Sequence, residues 1–317
     1  MKVIDHLRNS DRTLFSFEIL PPLKGKDIRS IYAGIDPLME FKPSFVNVTY
    51  HREEVIYKER GQGLLQKIRL RKRPGTVGIC AMIKAKYDVD TVPHLICGGF
   101  SREDTEDALI ELNFLGIDNV LALRGDAVKS EPHFIPERQG HAYAEELIRQ
   151  IAGLNKGHYL YDEEMEAAPT SLCVGAACYP EKHAEALNPA TDLAYLKRKV
   201  DAGAEYLVTQ MFFDNARYFD FVERCRKEGI TVPIIPGLKP LTNFRHISFI
   251  PKTFNIDLPE AFSKELEKCR TDEDVKTAGI EWTTQQAKEL QAKKVPSLHF
   301  YTMGRSEAVR AIASKLF

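Results

Sequence analysis

Apolar positions in this chain fall into two rhythms. Short runs without polar alternation recur at Leu14–Leu20, Phe45–Tyr50, Val77–Ile83, Val120–Leu123, Leu172–Cys178, Glu205–Asp214, Val232–Gly237 and Ser297–Thr302. A run that does not alternate cannot keep one face in water, so each predicts a strand covered on both sides, as in a parallel sheet. Between them, helical spacing predicts helices at 2–10, Ile31–Phe41, 61–72, Ser101–Leu115, Tyr143–Leu154, Asp192–Ala202, 216–228, two or three within 257–294, and 306–317. Local signals fix several ends. Pro21-Pro22 stops the first strand because proline cannot extend a ladder. Ser101 followed by Glu103 and Asp104 opens a helix, and Gly116 suits its close. Residues 127–140 and 156–170 are polar and are predicted as a loop and a surface insertion. His94 is predicted in a loop after the third strand.

Eight strands alternating with helices, with no GxGxxG after a strand, predict a single-domain α/β fold over residues 1–317, a closed (β/α)8 TIM-type barrel. Gly61-Gln62-Gly63 follows no predicted strand and lacks a third glycine, which argues against a Rossmann fold.

Composition narrows the function classes. The 317 residues are 44% hydrophobic, enough for a large core, and Lys+Arg 44 against Asp+Glu 45 leaves a net charge of −1. That balance gives no electrostatic case for nucleic acid or an anionic membrane. The six cysteines have no C-x-x-C spacing and sit in apolar segments, so no metal site is predicted and a reducing compartment is. No stretch approaches the roughly 18 apolar residues of a membrane helix. The polar start of the chain is unlike a signal peptide, and a cytoplasmic location is expected.

Candidate chemistry lies where strands end. Glu18 is a carboxylate inside an apolar strand; burial would raise its pKa and make it a proton donor. A Glu on a solvated face is the alternative, though parallel strands rarely have one. Arg124-Gly125-Asp126 breaks the fourth strand into a charged loop. Gln210 is an amide in an apolar run that must find partners, which a ligand could supply. Lys197-Arg198-Lys199 reads as a solvated basic face or, in the first turns of its helix, as a phosphate site. Thr49, Tyr179, and Tyr301 with Arg305 also fall near strand C-terminal ends. In a barrel these ends share one rim, so residues far apart in sequence would converge there.

Seven ordered segments carry a resemblance over nearly the whole chain: Ser16–Pro22, Val48–Tyr50, Leu123–Asp126, Ala177–His183, Leu196–Ala204, Thr209–Asp214 and His299–Thr302. Together they resemble the methylenetetrahydrofolate reductases. The resemblance implies a flavin-dependent barrel that reduces 5,10-methylenetetrahydrofolate to 5-methyltetrahydrofolate by a ping-pong route, with electrons from NADH or NADPH passing through non-covalent FAD and the product feeding methionine synthesis. It implies that Glu18 is the general acid. Asp126 would bind the pterin and supply negative charge near the forming cation. Gln210 would bind folate and nicotinamide in turn, and Thr49 would bond near the reactive flavin nitrogen. His94, Leu123, Arg124, Gly125, Asp126, Tyr143, Ala144, Tyr179, His183, Asp192, Arg198 and Lys199 would contact FAD, with the small residues of the fifth strand making room for it. Tyr301 and Arg305 would lie near the folate tail. The resemblance also suggests a homo-oligomer. Because the chain ends with the barrel, no regulatory domain is expected. Another pterin-binding barrel, such as a methyltransferase, and a catalytically silent folate-binding barrel are the alternatives.

Overall fold

The computed structural model describes residues 1–61, 63–128, 131–161 and 167–317. Parts of the two polar insertions, residues 129, 130 and 162–166, therefore lie outside the described residues.

Eleven strands form among the described residues: β1 Leu14–Ile19, β2 Phe45–Val48, β3 Glu54–Glu59, β4 Leu65–Leu70, β5 Asp90–Ile96, β6 Asn119–Leu123, β7 Cys173–Cys178, β8 Tyr206–Thr209, β9 Ile234–Ile235, β10 Gly237–Leu238 and β11 Ser297–Tyr301. Nine of them pair in the order β10-β11-β1-β2-β5-β6-β7-β8-β9, every pair parallel. β9 and β10 flank the single residue Pro236, so they are two halves of one stave. Pro236 has no N–H to donate, but its carbonyl still accepts from His299 N at 3.0 Å. One half bonds β8 and the other bonds β11, which closes an eight-stave barrel.

Alternation along the staves makes two cores. Phe15, Phe17 and Ile19 of β1 face outward into the layer under the helices. Leu14, Phe45, Val92, Leu121, Cys173 and Tyr206 fill the barrel interior. The N-terminal helix, Val3–Arg8, closes the floor: Val3, Ile4 and Leu7 join that interior cluster. Val3 N donates to Asn119 Oδ1, and His6 Nε2 meets Asp90 Oδ2, each at 2.7 Å. With the floor plugged, access is left to the opposite mouth, where the strands end.

Several expectations are corrected. Val77–Ile83 is not a strand; it lies in the helix Thr76–Tyr87. A short apolar run does not separate a buried strand from a buried helix, and this one continues through Lys84 and Lys86 in helical spacing. The third stave is instead β5, where His94 is an inward strand residue and not a loop residue. Pro93 hides that strand in the sequence. It is tolerated because pairing with β2 ends at Pro93 and pairing with β6 begins at His94. Residues 61–72 are not helical: β3 and β4 form an antiparallel hairpin with Gly61 and Gly63 at positive φ in its turn. The basic helix starts at Pro189, behind an Asn188 cap that accepts from Thr191 N at 2.8 Å. Arg198 and Lys199 therefore sit in its last turn, and the helix N-terminus offers them no phosphate site. An additional helix, Phe244–Phe254, follows β10.

Candidate active site

Glu18 is the next-to-last residue of β1 and is 8% exposed. Its backbone carbonyl is gripped by Thr302 Oγ1 at 2.6 Å, which ties the end of β1 to the exit of β11. Burial pushes its pKa up to about 8, against a weaker opposing pull from Lys239, so the carboxyl holds its proton at neutral pH. Glu18 Oε2 lies 3.4 Å from His94 Nε2, and Asn47 Nδ2 donates to that same nitrogen at 3.3 Å. Burial drives the His94 pKa down to about 3, so the ring is neutral, and the amide contact makes Nε2 an acceptor. That nitrogen has a single lone pair, for which protonated Glu18 and the Asn47 amide compete. Below, Ser16 Oγ meets His299 Nδ1 at 3.0 Å. These polar residues are packed by strand registry under the mouth, and Asn47 Oδ1 and His299 Nε2 remain without partners among the described residues.

A cationic rim follows β6 and β7. Arg124 forms a bidentate pair with the exposed Glu185, at 2.5 and 2.7 Å, and its guanidinium lies 5.0 Å from the Phe134 ring centre. Gly125 adopts φ +83°, and a side chain there would press on Ile96. Tyr179 stacks edge-on against His183, ring centres 4.7 Å apart. His183 N donates to Asp192 at 3.0 Å. Lys199 reaches back from its helix to donate to Ala177 O at 2.9 Å and lies 5.7 Å from the Tyr179 ring centre. Arg198 is exposed and rests over Tyr195. Tyr143, exposed, caps the helix Ala144–Leu154, whose first residue is buried. Leu123 packs at the top of the interior cluster. Thr49 follows β2 and donates its N–H to Ile19 O, while its buried hydroxyl has no partner among the described residues.

Gln210 follows β8 directly. Its Oε1 accepts from Met211 N at 3.0 Å, leaving the NH2 without a protein partner among the described residues. Tyr301 donates to Thr209 O at 2.6 Å, its ring lying over Gly237, where a Cβ would come within 2.5 Å of it. Asp126 and Arg305 are exposed at the rim. Tyr301 feels the charges of both Glu18 and Tyr179, and Tyr179 feels that of Asp126. The acid, the two tyrosines and the rim carboxylate therefore share one mouth.

Two sequence-based assignments change. The small fifth strand does not open space along its length: Gly175 is filled by the Tyr206 ring, which a Cβ would meet at 2.3 Å, so only Ala177 remains small at the mouth. His94, expected in a loop, is instead a strand residue whose Nε2 lies 3.4 Å from Glu18 Oε2. Asn47, His299 and Lys239 were not singled out. For Lys239 the signal was a cation set between Leu238 and Pro240 in an apolar stretch.

The methylenetetrahydrofolate reductase family model matches residues 2–317. The chain is 31% identical over its whole length to methylenetetrahydrofolate reductase 1 of Schizosaccharomyces pombe, covering 48% of that protein. It is 30% identical, over its whole length, to methylenetetrahydrofolate reductase (NADH) 1 of Arabidopsis thaliana, covering 51% of it. The chain thus spans about half the length of these relatives. Against the 5,10-methylenetetrahydrofolate reductase of Salmonella typhimurium it is 32% identical, covering 95% of this chain and 90% of that one. Among solved structures, an uncharacterised Clostridium thermocellum protein that binds two copies of 5-methyl-5,6,7,8-tetrahydrofolic acid shares the fold, with a TM-score of 0.58 at 13% identity over 98% of this chain and 96% of that one. A match running the full length of the barrel, floor helix to last helix, shows that the chain belongs to the methylenetetrahydrofolate reductase family.

Proposed function

We propose that the chain reduces 5,10-methylenetetrahydrofolate to 5-methyltetrahydrofolate by a ping-pong route, taking electrons from a reduced nicotinamide nucleotide through bound FAD. The observation that carries this reading is Glu18, a carboxyl that burial keeps protonated at the barrel mouth. Opening the methylene bridge leaves negative charge on a departing nitrogen unless a proton arrives, and a neutral buried acid supplies one. Glu18 would give that proton, with His94 holding the carboxyl in place. Asp126 would sit beside the cationic carbon that results and favour it electrostatically. Gln210 would present its free NH2 to folate and nicotinamide in turn, and Tyr301 and Arg305 would flank the folate tail.

The residues present suit a flavin. Thr49 Oγ1 is buried and unpartnered, as a hydroxyl awaiting a ring nitrogen would be. Arg124, His183 and Lys199 give a diphosphate cations and donors, and Leu123, Gly125, Tyr143, Ala144, Tyr179, Asp192 and Arg198 would complete the contacts. When bound, FAD supplies the electron relay between the two substrates. NADH, the donor named for the Arabidopsis relative, is the donor we assign. We also assign a cytoplasmic, homo-oligomeric enzyme; no helix among the described residues is long and apolar enough to cross a membrane.

The test is an absorbance spectrum of the purified protein, followed by anaerobic NADH and then the folate. A yellow protein bleached by NADH and recoloured by methylenetetrahydrofolate supports the reading. A colourless protein that binds folate favours a methyl-transferring or silent barrel instead.

A further inference from the structure

Lys239 is 8% exposed; burial lowers its pKa to about 8, with Glu18 opposing the fall, so it is still largely an ammonium at neutral pH. It has no carboxylate within 4.0 Å and no hydrogen-bond partner among the described residues. A buried cation left this way is costly, and an opposite charge nearby offsets part of that cost. Its position says which charge. β10 pairs with β11 through Gly237–His299 and Leu238–Phe300, so continuing the register sets Lys239 beside Tyr301. On the other side of β11, Tyr301 is the register partner of Glu18. Gly237 faces inward, because a Cβ there would strike the Tyr301 ring. Leu238 faces the outer core. Alternation then turns Lys239 inward, toward the mouth. Lys239, Tyr301 and Glu18 form one row across three neighbouring staves.

We propose that Lys239 is the counter-charge for Glu18, stabilising the carboxylate that remains each time the acid gives up its proton. The proposal rests on the acid role assigned above. In that step the Glu18 O–H bond breaks, its electron pair stays on the carboxylate oxygen, and the substrate nitrogen gains the proton. The carboxylate is then stranded in a mouth with little water. His94 cannot balance it, since burial keeps that ring neutral. Tyr301 spends its hydroxyl on Thr209 O. His246, on the helix Phe244–Phe254, is also held neutral by burial, with the nearby cations Lys239, Arg305 and Arg245 adding to the effect and Asp272 opposing it. Arg305 is at the exposed rim. Lys239 is left as the buried cation whose field reaches Glu18, and each group acts on the other. As a positioning residue it acts through Glu18 and need not touch the substrate.

The test titrates Glu18 directly, by the infrared band of its protonated carboxyl, identified as the band that Glu18→Gln removes. The protein is used as purified, without folate, so the result stands whether or not folate is reduced. Lys239→Met is expected to raise the band's midpoint by about one pH unit, and Lys239→Arg to leave it within about 0.3. Circular dichroism checks that each variant is folded, and Lys239→Gln replaces Lys239→Met if the latter is not. A wild-type midpoint in the folded neutral variant overturns the proposal, as does an equal rise in Lys239→Arg. A protein that passes this titration yet never reduces folate would refute the reaction and leave the charge pair standing.

Discussion

Glu18 keeps its proton because burial takes its oxygens out of water, beside a histidine that is itself neutral. This has a stability consequence. A carboxyl whose folded pKa is raised binds its proton more tightly in the native state, so its contribution is fully present below the unfolded value and is lost as pH rises through the folded one. For Glu18 that window runs from 4.5 to about 8. Glu18→Gln should therefore flatten the fall of melting temperature across that window, and be the more stable protein above it, by a few kcal/mol at most. Equal pH dependence in the two proteins would contradict the burial argument. The same titration predicts that folate reduction slows above pH about 8, as the acid empties. Asp126 is different. It is exposed at the rim, and on the role proposed above Asp126→Asn should slow folate reduction more than flavin reduction by NADH. Equal slowing of both half-reactions would remove its electrostatic role. Glu18 was legible in the sequence because a carboxylate inside Phe-Glu-Ile stands out. Asn47 and His299 were not, because their meaning comes from registry between strands distant in the chain.

Elements were legible where period, cap and breaker agreed. The helix Arg102–Phe114 has its full capping box, with Asp104 N donating to Ser101 Oγ at 3.0 Å and Ser101 N donating to Asp104 Oδ2 at 2.9 Å. They were misread where length alone decided, as at Thr76–Tyr87, and where a proline and ionisable residues masked β5. The β3–β4 hairpin had a sequence signal, glycines between two β-branched, aromatic and charged runs, but its Gly61 and Gly63 were weighed only as a nucleotide motif. The small residues of β7 carry a further prediction. Gly175 gives its space to the Tyr206 ring inside the barrel. Gly175→Ala should destabilise by about 1–3 kcal/mol in urea unfolding, the cost of overpacking a closed core. Adding Tyr206→Leu should recover part of that loss; an undiminished loss in the double variant would mean that the clash is not its cause.

The barrel as a whole turns a scattered sequence into one site. Its floor is sealed by Val3, Ile4 and Leu7, its side walls by the outer core, and its mouth receives the ends of all eight staves. Closure depends on Pro236 splitting the seventh stave so that one half bonds β8 and the other β11. That split also carries Gly237 under Tyr301 and Lys239 to the level of Glu18. Seven of the eight staves and the rim location could be read from the apolar runs; the third stave, β5, could not. Which side chains meet across the rim could not, because that is set by stagger between staves. The most direct test of the account is to measure the two half-reactions separately, under anaerobic conditions, in wild type and in Glu18→Gln. The account predicts that the variant keeps its flavin and its reduction by NADH while losing reoxidation by methylenetetrahydrofolate. Reoxidation at the wild-type rate would contradict it.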